Sequence, residues 1–160
     1  MCPTLTPTFT QLLISSQPAA APCRNLVVYG TEATGKSVIT AAVLAKLAAE
    51  TKDGEDDDPR IRYAIVNSLE CITSRHLYET VVGKVANALD WGATSPRCET
   101  VSQLTVELSK MLKYRPRPED FRFVLVFDSI DRGRDAPHTL LPALARLSEI
   151  VRGRLYSNPV

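Results

Sequence analysis

Histidine, tryptophan and closely spaced cysteine are what this 160-residue chain has least of. It holds two histidines, His76 and His138, and four cysteines, Cys2, Cys23, Cys71 and Cys98, with no CxxC pair among them. That scarcity excludes a zinc site of the usual spacing and a disulfide framework, and reduced thiols in an intracellular compartment are the expectation. Long hydrophobic runs are missing too. Residues 1–23 carry no charge, yet they lack a basic leader and contain Pro3, Pro7, Pro18 and Pro22, so neither a secretory signal nor a membrane span is expected. An excess of one charge is also absent: 19 Lys+Arg against 18 Asp+Glu leave a formal +1. Such a chain has no domain-wide basic field for nucleic acid, and any grip on DNA must be local.

What is present is enough apolar side chain to fold. Hydrophobic residues make up 44% and charged ones 23%, which suits one globular domain of this length. The charge is unevenly spread, with residues 1–58 at net −3 and residues 59–160 at net +4. Five carboxylates around Gly54, from Asp53 to Asp58, repel one another and read as a solvated loop.

Periodicity orders the elements. Leu26-Val27-Val28-Tyr29 is a short β-branched run ending at Gly30, as a buried strand would. Lys36 to Glu50 reads as a helix with Val38, Ala41, Ala42, Ala45, Ala48 and Ala49 at helical spacing and many small residues that allow close packing. Tyr63–Asn67 forms a second strand, after which Ser74 caps a helix whose Leu77, Val81, Val82, Val85 and Leu89 share one face. A third helix covers Thr100 to Leu112 with Val101, Leu104, Leu108, Met111 and Leu112 inward, and Pro116 and Pro118 stop it. Phe123–Phe127 is an unbroken apolar run suited to a central strand covered on both faces, and Pro142 opens a last helix carrying Leu144, Leu147 and Val151. The alternation β-α-β-α-α-β-α predicts a three-layer α/β/α fold with a parallel sheet. An arm over 1–24, a nucleotide-binding domain over 25–152 and a tail over 153–160 complete the expected organisation, with the chain cut short before further strands and a lid.

The sharpest motif is Gly30-Thr31-Glu32-Ala33-Thr34-Gly35-Lys36-Ser37, a full GxxxxGK[ST] between an apolar strand and a helix. A random chain of this length shows that pattern about once in 200 cases at average composition. The chemistry accounts for the spacing. Glycines let the backbone curl so that N–H groups point at phosphate oxygens, and the helix aims the positive end of its dipole at the same charge. Lys36 reaches the β- and γ-phosphates, Ser37 offers a hydroxyl to Mg²⁺, and Val38 completes the set of loop residues expected against ATP.

Asp128 closes the apolar strand and is the candidate second Mg²⁺ partner. Ser129 follows it. In AAA+ ATPases, which this arrangement resembles, a Glu stands directly after that Asp and polarises the attacking water. A hydroxyl is no comparable base at neutral pH, and losing a positioned base costs on the order of 10² to 10⁴ in rate. Binding without useful turnover is therefore expected, with Asp131 the alternative base and pairing with Arg132, Arg134 or solvent its blander role.

From Asn25 to Ile150 the chain resembles the AAA+ ATPase domain of eukaryotic origin recognition complex subunits, the subunit-five branch most closely. The resemblance is carried by Val27-Val28-Tyr29-Gly30 with the phosphate loop, by Val66-Asn67-Ser68-Leu69-Glu70-Cys71-Ile72-Thr73, by the Asp128 strand lacking its Glu, and by Leu140-Leu141-Pro142-Ala143-Leu144-Ala145-Arg146-Leu147. It implies a domain that binds ATP and Mg²⁺ within a nuclear multi-subunit ring, in contact with other origin recognition complex subunits and with double-stranded DNA, and supporting helicase loading. Residues 1–24 lack the Arg-Glu pair found near the adenine pocket of many relatives, so no base-contacting residue is assigned.

Two other classes remain open: an active AAA+ ATPase or small phosphate-loop nucleotide kinase, and a degenerate scaffold that binds no nucleotide. Intact Lys36 and Ser37 argue against the last. Lys110, Lys113, Arg115, Arg117 and Arg122 form a basic cluster that reads as a solvated loop, and the resemblance points instead to Thr73–His76 as the DNA-facing segment. His76 reads as a surface or packing residue and Trp91 as core or interface filler rather than a base-stacking platform.

Overall fold

The computed structural model describes residues 25–50, 61–92, 97–113, 121–132 and 140–147. The chain divides into two compact units, Met1–Pro59 and Arg60–Val160. The carboxylate run around Gly54, Pro116, Pro118, Val151 and the expected arm and tail lie outside the described residues.

Among the described residues of the first unit the regular element is helix α1, Lys36–Glu50. Its buried residues are Val43, Leu44 and Leu47, while Val38 is 73% exposed and Ala42, Ala45 and Ala49 face out. Of the small residues at helical spacing, Ala41 and Ala48 are half-buried beside that stripe. Alanine fits either side at little cost, so its spacing carries no direction, and the larger Leu44 and Leu47 set the buried stripe.

Leu26–Tyr29 is also corrected. The segment has no ladder partner among the described residues, and Val27 and Tyr29 are 79% and 89% exposed. β-branched and aromatic residues fit a pleated, half-buried surface but do not by themselves create a strand.

The second unit holds a parallel pair, β1 (Ile61–Asn67) and β2 (Arg122–Asp128), in register from Ile61 opposite Arg122 to Asn67 opposite Asp128. Parallel strands need a long crossover. Here it contains helices α2 (Ser74–Ala88) and α3 (Val101–Lys113). Helix α2 packs on β1, and α3 packs on α2. The expected faces are found: Leu77, Val81, Val82, Val85 and Leu89 are buried, as are Leu104, Leu108 and Met111, with Val101, Leu112 and Trp91 packed partly buried around them. Thr105 and Ser109, buried polar residues on α3, donate to the carbonyls of Val101 (2.8 Å) and Thr105 (2.7 Å), which satisfies their hydroxyls inside the helix.

Thr73, not Ser74, caps α2. Its Oγ1 accepts from the N–H of His76 at 3.2 Å, and Ser74 is the first helical residue. Thr100 does the same for α3 through Gln103 N–H at 3.2 Å, and Gln103 Oε1 in turn accepts from Glu99 N–H at 2.7 Å. The far end of α2 is fixed by Arg62 of β1, whose guanidinium donates to the Ala88 carbonyl and the Asp90 carboxylate, both at 2.7 Å. Orphan carbonyls at a helix C-terminus are thus tied to the neighbouring strand.

Strand β2 departs from the expectation of a doubly covered central strand, since all seven residues are half-buried. Phe123, Leu125 and Phe127 pack on the core cluster, and alternation puts Val124 and Val126 on the opposite face. Among the described residues β2 has one ladder partner, which is why its burial is incomplete. The last helix, α4 (Leu140–Ala145), has Pro142 in its first turn and contributes Leu140, Leu144 and the following Leu147 to the core. No helix among the described residues is long and apolar enough to cross a membrane.

Candidate nucleotide-binding loop

The glycine-bearing loop runs from Gly30 to Lys36 and has three residues at positive φ: Gly30 at 151°, Ala33 at 57° and Gly35 at 78°. A Cβ on Gly35 would sit 3.9 Å from Ile39 Cδ1, an ordinary contact. Backbone conformation rather than space is what asks for glycine there. Ala33 adopts the left-handed region at a cost of roughly 1–2 kcal/mol, a strain often stored in functional loops.

From Gly35 the chain turns directly into α1, with Ile39 N–H bonded to the Gly35 carbonyl at 2.9 Å. Helix geometry leaves the N–H groups of that first turn, Lys36, Ser37 and Val38 among them, without intrahelical acceptors. The Lys36 ammonium curls back over the loop. It donates to the carbonyls of Gly30 at 3.0 Å and Thr31 at 2.6 Å and to Thr34 Oγ1 at 3.4 Å, and Thr34 Oγ1 donates to the Thr31 carbonyl at 2.9 Å. Ser37 and Glu32 are exposed. Backbone donors, an ammonium and a hydroxyl gathered at one helix N-terminus form a donor set that fits a polyphosphate.

In the second unit, Asp128 ends β2 half-buried, opposite Asn67. Asn67 is more than a strand end. Its Oδ1 accepts from Leu69 N–H at 3.1 Å and its Nδ2 donates to Glu70 Oε1 at 3.0 Å, which shapes the 3₁₀ turn Ser68–Glu70. A second 3₁₀ turn, Ile130–Arg132, follows β2 and packs on the first. Ser129 links strand to turn in the left-handed region, φ 55°, and its carbonyl accepts from Arg132 N–H at 3.1 Å. Asp131 lies exposed in that turn. Carboxyl ends of parallel strands are where open α/β sheets present ligand-binding residues. Asn67 was legible only as a strand terminus; the signal that marks it is its match to Asp128, a polar residue closing an apolar strand and starting a turn. Among the described residues no group of three or more His, Cys, Asp or Glu could hold a metal ion unaided.

The segment Thr73–His76 is exposed at Thr73, Arg75 and His76. Its cation is already engaged: Arg75 Nε meets Glu79 at 3.0 Å and its Nη1 meets Glu99 at 3.1 Å. The hydrogen bond it donates to Glu79 raises the guanidinium pKa above its ordinary value, with the charges of Glu79 and Glu99 adding to it. Lys110 of the basic cluster pairs with Glu107. Arg115 and Arg117 lie outside the described residues.

The model of the AAA ATPase domain matches residues 6–156, nearly the whole chain. The chain belongs to the AAA ATPase domain family. It is also 26% identical over 126 residues to origin recognition complex subunit 5 of Drosophila melanogaster, covering 78% of this chain and 24% of that protein. The AAA chain therefore spans about a quarter of the length of this relative. No solved structure matches it. Membership agrees with the observed α/β architecture, helices on a parallel sheet.

Proposed function

We propose that this AAA domain binds ATP with Mg²⁺ and serves as an ATP-holding subunit of an origin recognition complex, with little hydrolysis of its own. The observation that supports it most is the Gly30–Ser37 loop, where the Lys36 ammonium lies on the Gly30 and Thr31 carbonyls at the N-terminus of α1. In this reading Gly30 to Val38 hold the phosphates, and Ser37 offers its hydroxyl to the metal. Mg²⁺ would neutralise phosphate charge there.

The second part of the reading rests on Ser129. An alkoxide is not available at neutral pH, so nothing at that position takes a proton from water, and ATP stays intact as a stabilising ligand. A ligand that binds only the folded state adds RT ln(1 + [L]/Kd), about 2.7 kcal/mol at a hundredfold excess over Kd. Likeness to the Drosophila subunit supports the wider assignment: a nuclear ring of origin recognition complex subunits, contact with double-stranded DNA and a part in helicase loading. Arg75 is held by two carboxylates, so DNA contact is assigned to the assembly rather than to this side chain.

The test is thermal unfolding of the full-length subunit with and without Mg-ATP, beside a phosphate-release assay. A raised Tm with negligible phosphate release is expected, and the Tm shift vanishes in Lys36→Ala. An unchanged Tm in saturating Mg-ATP defeats nucleotide binding. Release at about 1 s⁻¹ or faster, within the ordinary enzyme range, defeats only the claim of retention and favours an active ATPase.

A further inference from the structure

Thr34 has a position in the phosphate loop that the motif itself does not require. An ammonium has three N–H donors and no acceptor. In Lys36 all three are matched within the loop, to the carbonyls of Gly30 and Thr31 and to Thr34 Oγ1. A phosphate oxygen can reach this ammonium only by displacing one of them. The two carbonyls are fixed by the backbone that forms the cradle, with Gly30 already at φ 151°. The Thr34 contact is the longest of the three, 3.4 Å, and belongs to a side chain that can leave by rotating about its Cα–Cβ bond. The same hydroxyl is steadied by its own bond to Thr31 O, 2.9 Å, which turns its lone pairs to Lys36.

We infer that Thr34 is a positioning residue for Lys36: its hydroxyl restrains the ammonium over the loop and is the partner that an incoming nucleoside triphosphate displaces. The inference rests on the reading of this loop as a triphosphate cradle. Thr34 thereby tunes, through Lys36, the affinity and the entry rate of the nucleotide. Removing its oxygen frees one N–H of Lys36 in advance, so Thr34→Val binds Mg-ATP more tightly and faster than the parent, by about fivefold for one exposed hydrogen bond of about 1 kcal/mol. Thr34→Ser keeps the oxygen and behaves as the parent.

Two measurements on the full chain separate this from a merely structural role. In nucleotide-free protein, acetylation of the Lys36 amine by an activated ester, read by peptide mass spectrometry, is expected to accelerate about fivefold in Thr34→Val and not in Thr34→Ser. Binding of a fluorescent Mg-ATP analogue is expected to tighten by a similar factor in Thr34→Val, with Lys36→Ala as the blank. If the parent binds the analogue, Lys36→Ala does not, and Thr34→Val matches the parent in both assays, the Thr34 inference is overturned and the cradle stands. If Thr34→Val accelerates acetylation but neither parent nor variant binds the analogue, the cradle reading falls and displacement by phosphate falls with it.

Discussion

Ser129 concentrates two arguments in one residue. It occupies the left-handed region, which costs an L-residue roughly 1–2 kcal/mol and glycine almost nothing. Ser129→Gly should therefore raise the urea midpoint, for a gain in stability of about 1 kcal/mol after the added entropy of the unfolded chain is counted against it. A midpoint that falls would mean the hydroxyl contributes more than the backbone strain takes away. Because serine already bears that strain, Ser129→Glu adds no new backbone cost and restores the carboxylate that AAA+ relatives carry. Phosphate release should rise by on the order of 10² to 10⁴ if the missing base is what retains the nucleotide. No rise in the variant, with Mg-ATP still raising its Tm, would place the block elsewhere.

Arg62 and Thr73 hold the two ends of α2, and each end gives a separable prediction. The Arg62 side chain is 17% exposed and bonded to the Ala88 carbonyl, so Arg62→Ala should cost about 1.5–3 kcal/mol by urea unfolding, the range for hydrogen bonds to charged groups. Thr73→Ala removes a cap and should cost about 1 kcal/mol. Loss of α2 amide protection in hydrogen exchange should begin at Ala88 in the first variant and at His76 in the second; the opposite order would refute the assignment of the ends. These elements also mark how far the sequence could be read. Helices α2 and α3 were legible because leucine and valine recur at helical spacing and bury what they predict. The inner face of α1 was not, since a run of alanines has no preferred side, and Leu26–Tyr29 was not, since strand formation depends on a ladder that local composition cannot supply. The cap fell one residue early because Thr73 and Ser74 are both good capping residues and only the dihedral angles distinguish them. In the loop, the motif's glycine Gly35 and the helix that follows it were legible, but the Lys36–Thr34 contact is a matter of three-dimensional reach that spacing does not encode.

At the scale of the molecule, the core of the second unit makes stability depend on alkaline pH. Cys98 is fully buried beside α3, and burial pushes its thiol pKa above the ordinary 9.0, with the carboxylates of Glu107 and Glu79 adding to the shift and Lys110 opposing it. Tyr78, buried on α2, has its phenol raised above 10.0 by burial alone. Both groups are neutral when protonated, and folding keeps them so. The unfolded chain releases their protons first as pH rises, so the contribution of Cys98 is whole below pH 9.0 and fades above it, and that of Tyr78 follows above pH 10.0. Stability measured by urea should be level from pH 7 to 8, then decline through pH 9 and more steeply past 10. Cys98→Ala should lose the first part of that decline and keep the second, while Tyr78→Phe should do the reverse. A thiol held protonated and out of solvent is also a poor nucleophile. Alkylation of Cys98 at pH 8 should therefore be slow in the folded protein and become fast in urea. Rapid alkylation without denaturant would show that α3 opens locally at far lower cost than global unfolding, and the alkaline dependence would then be expected to follow that opening rather than the midpoint of the whole domain.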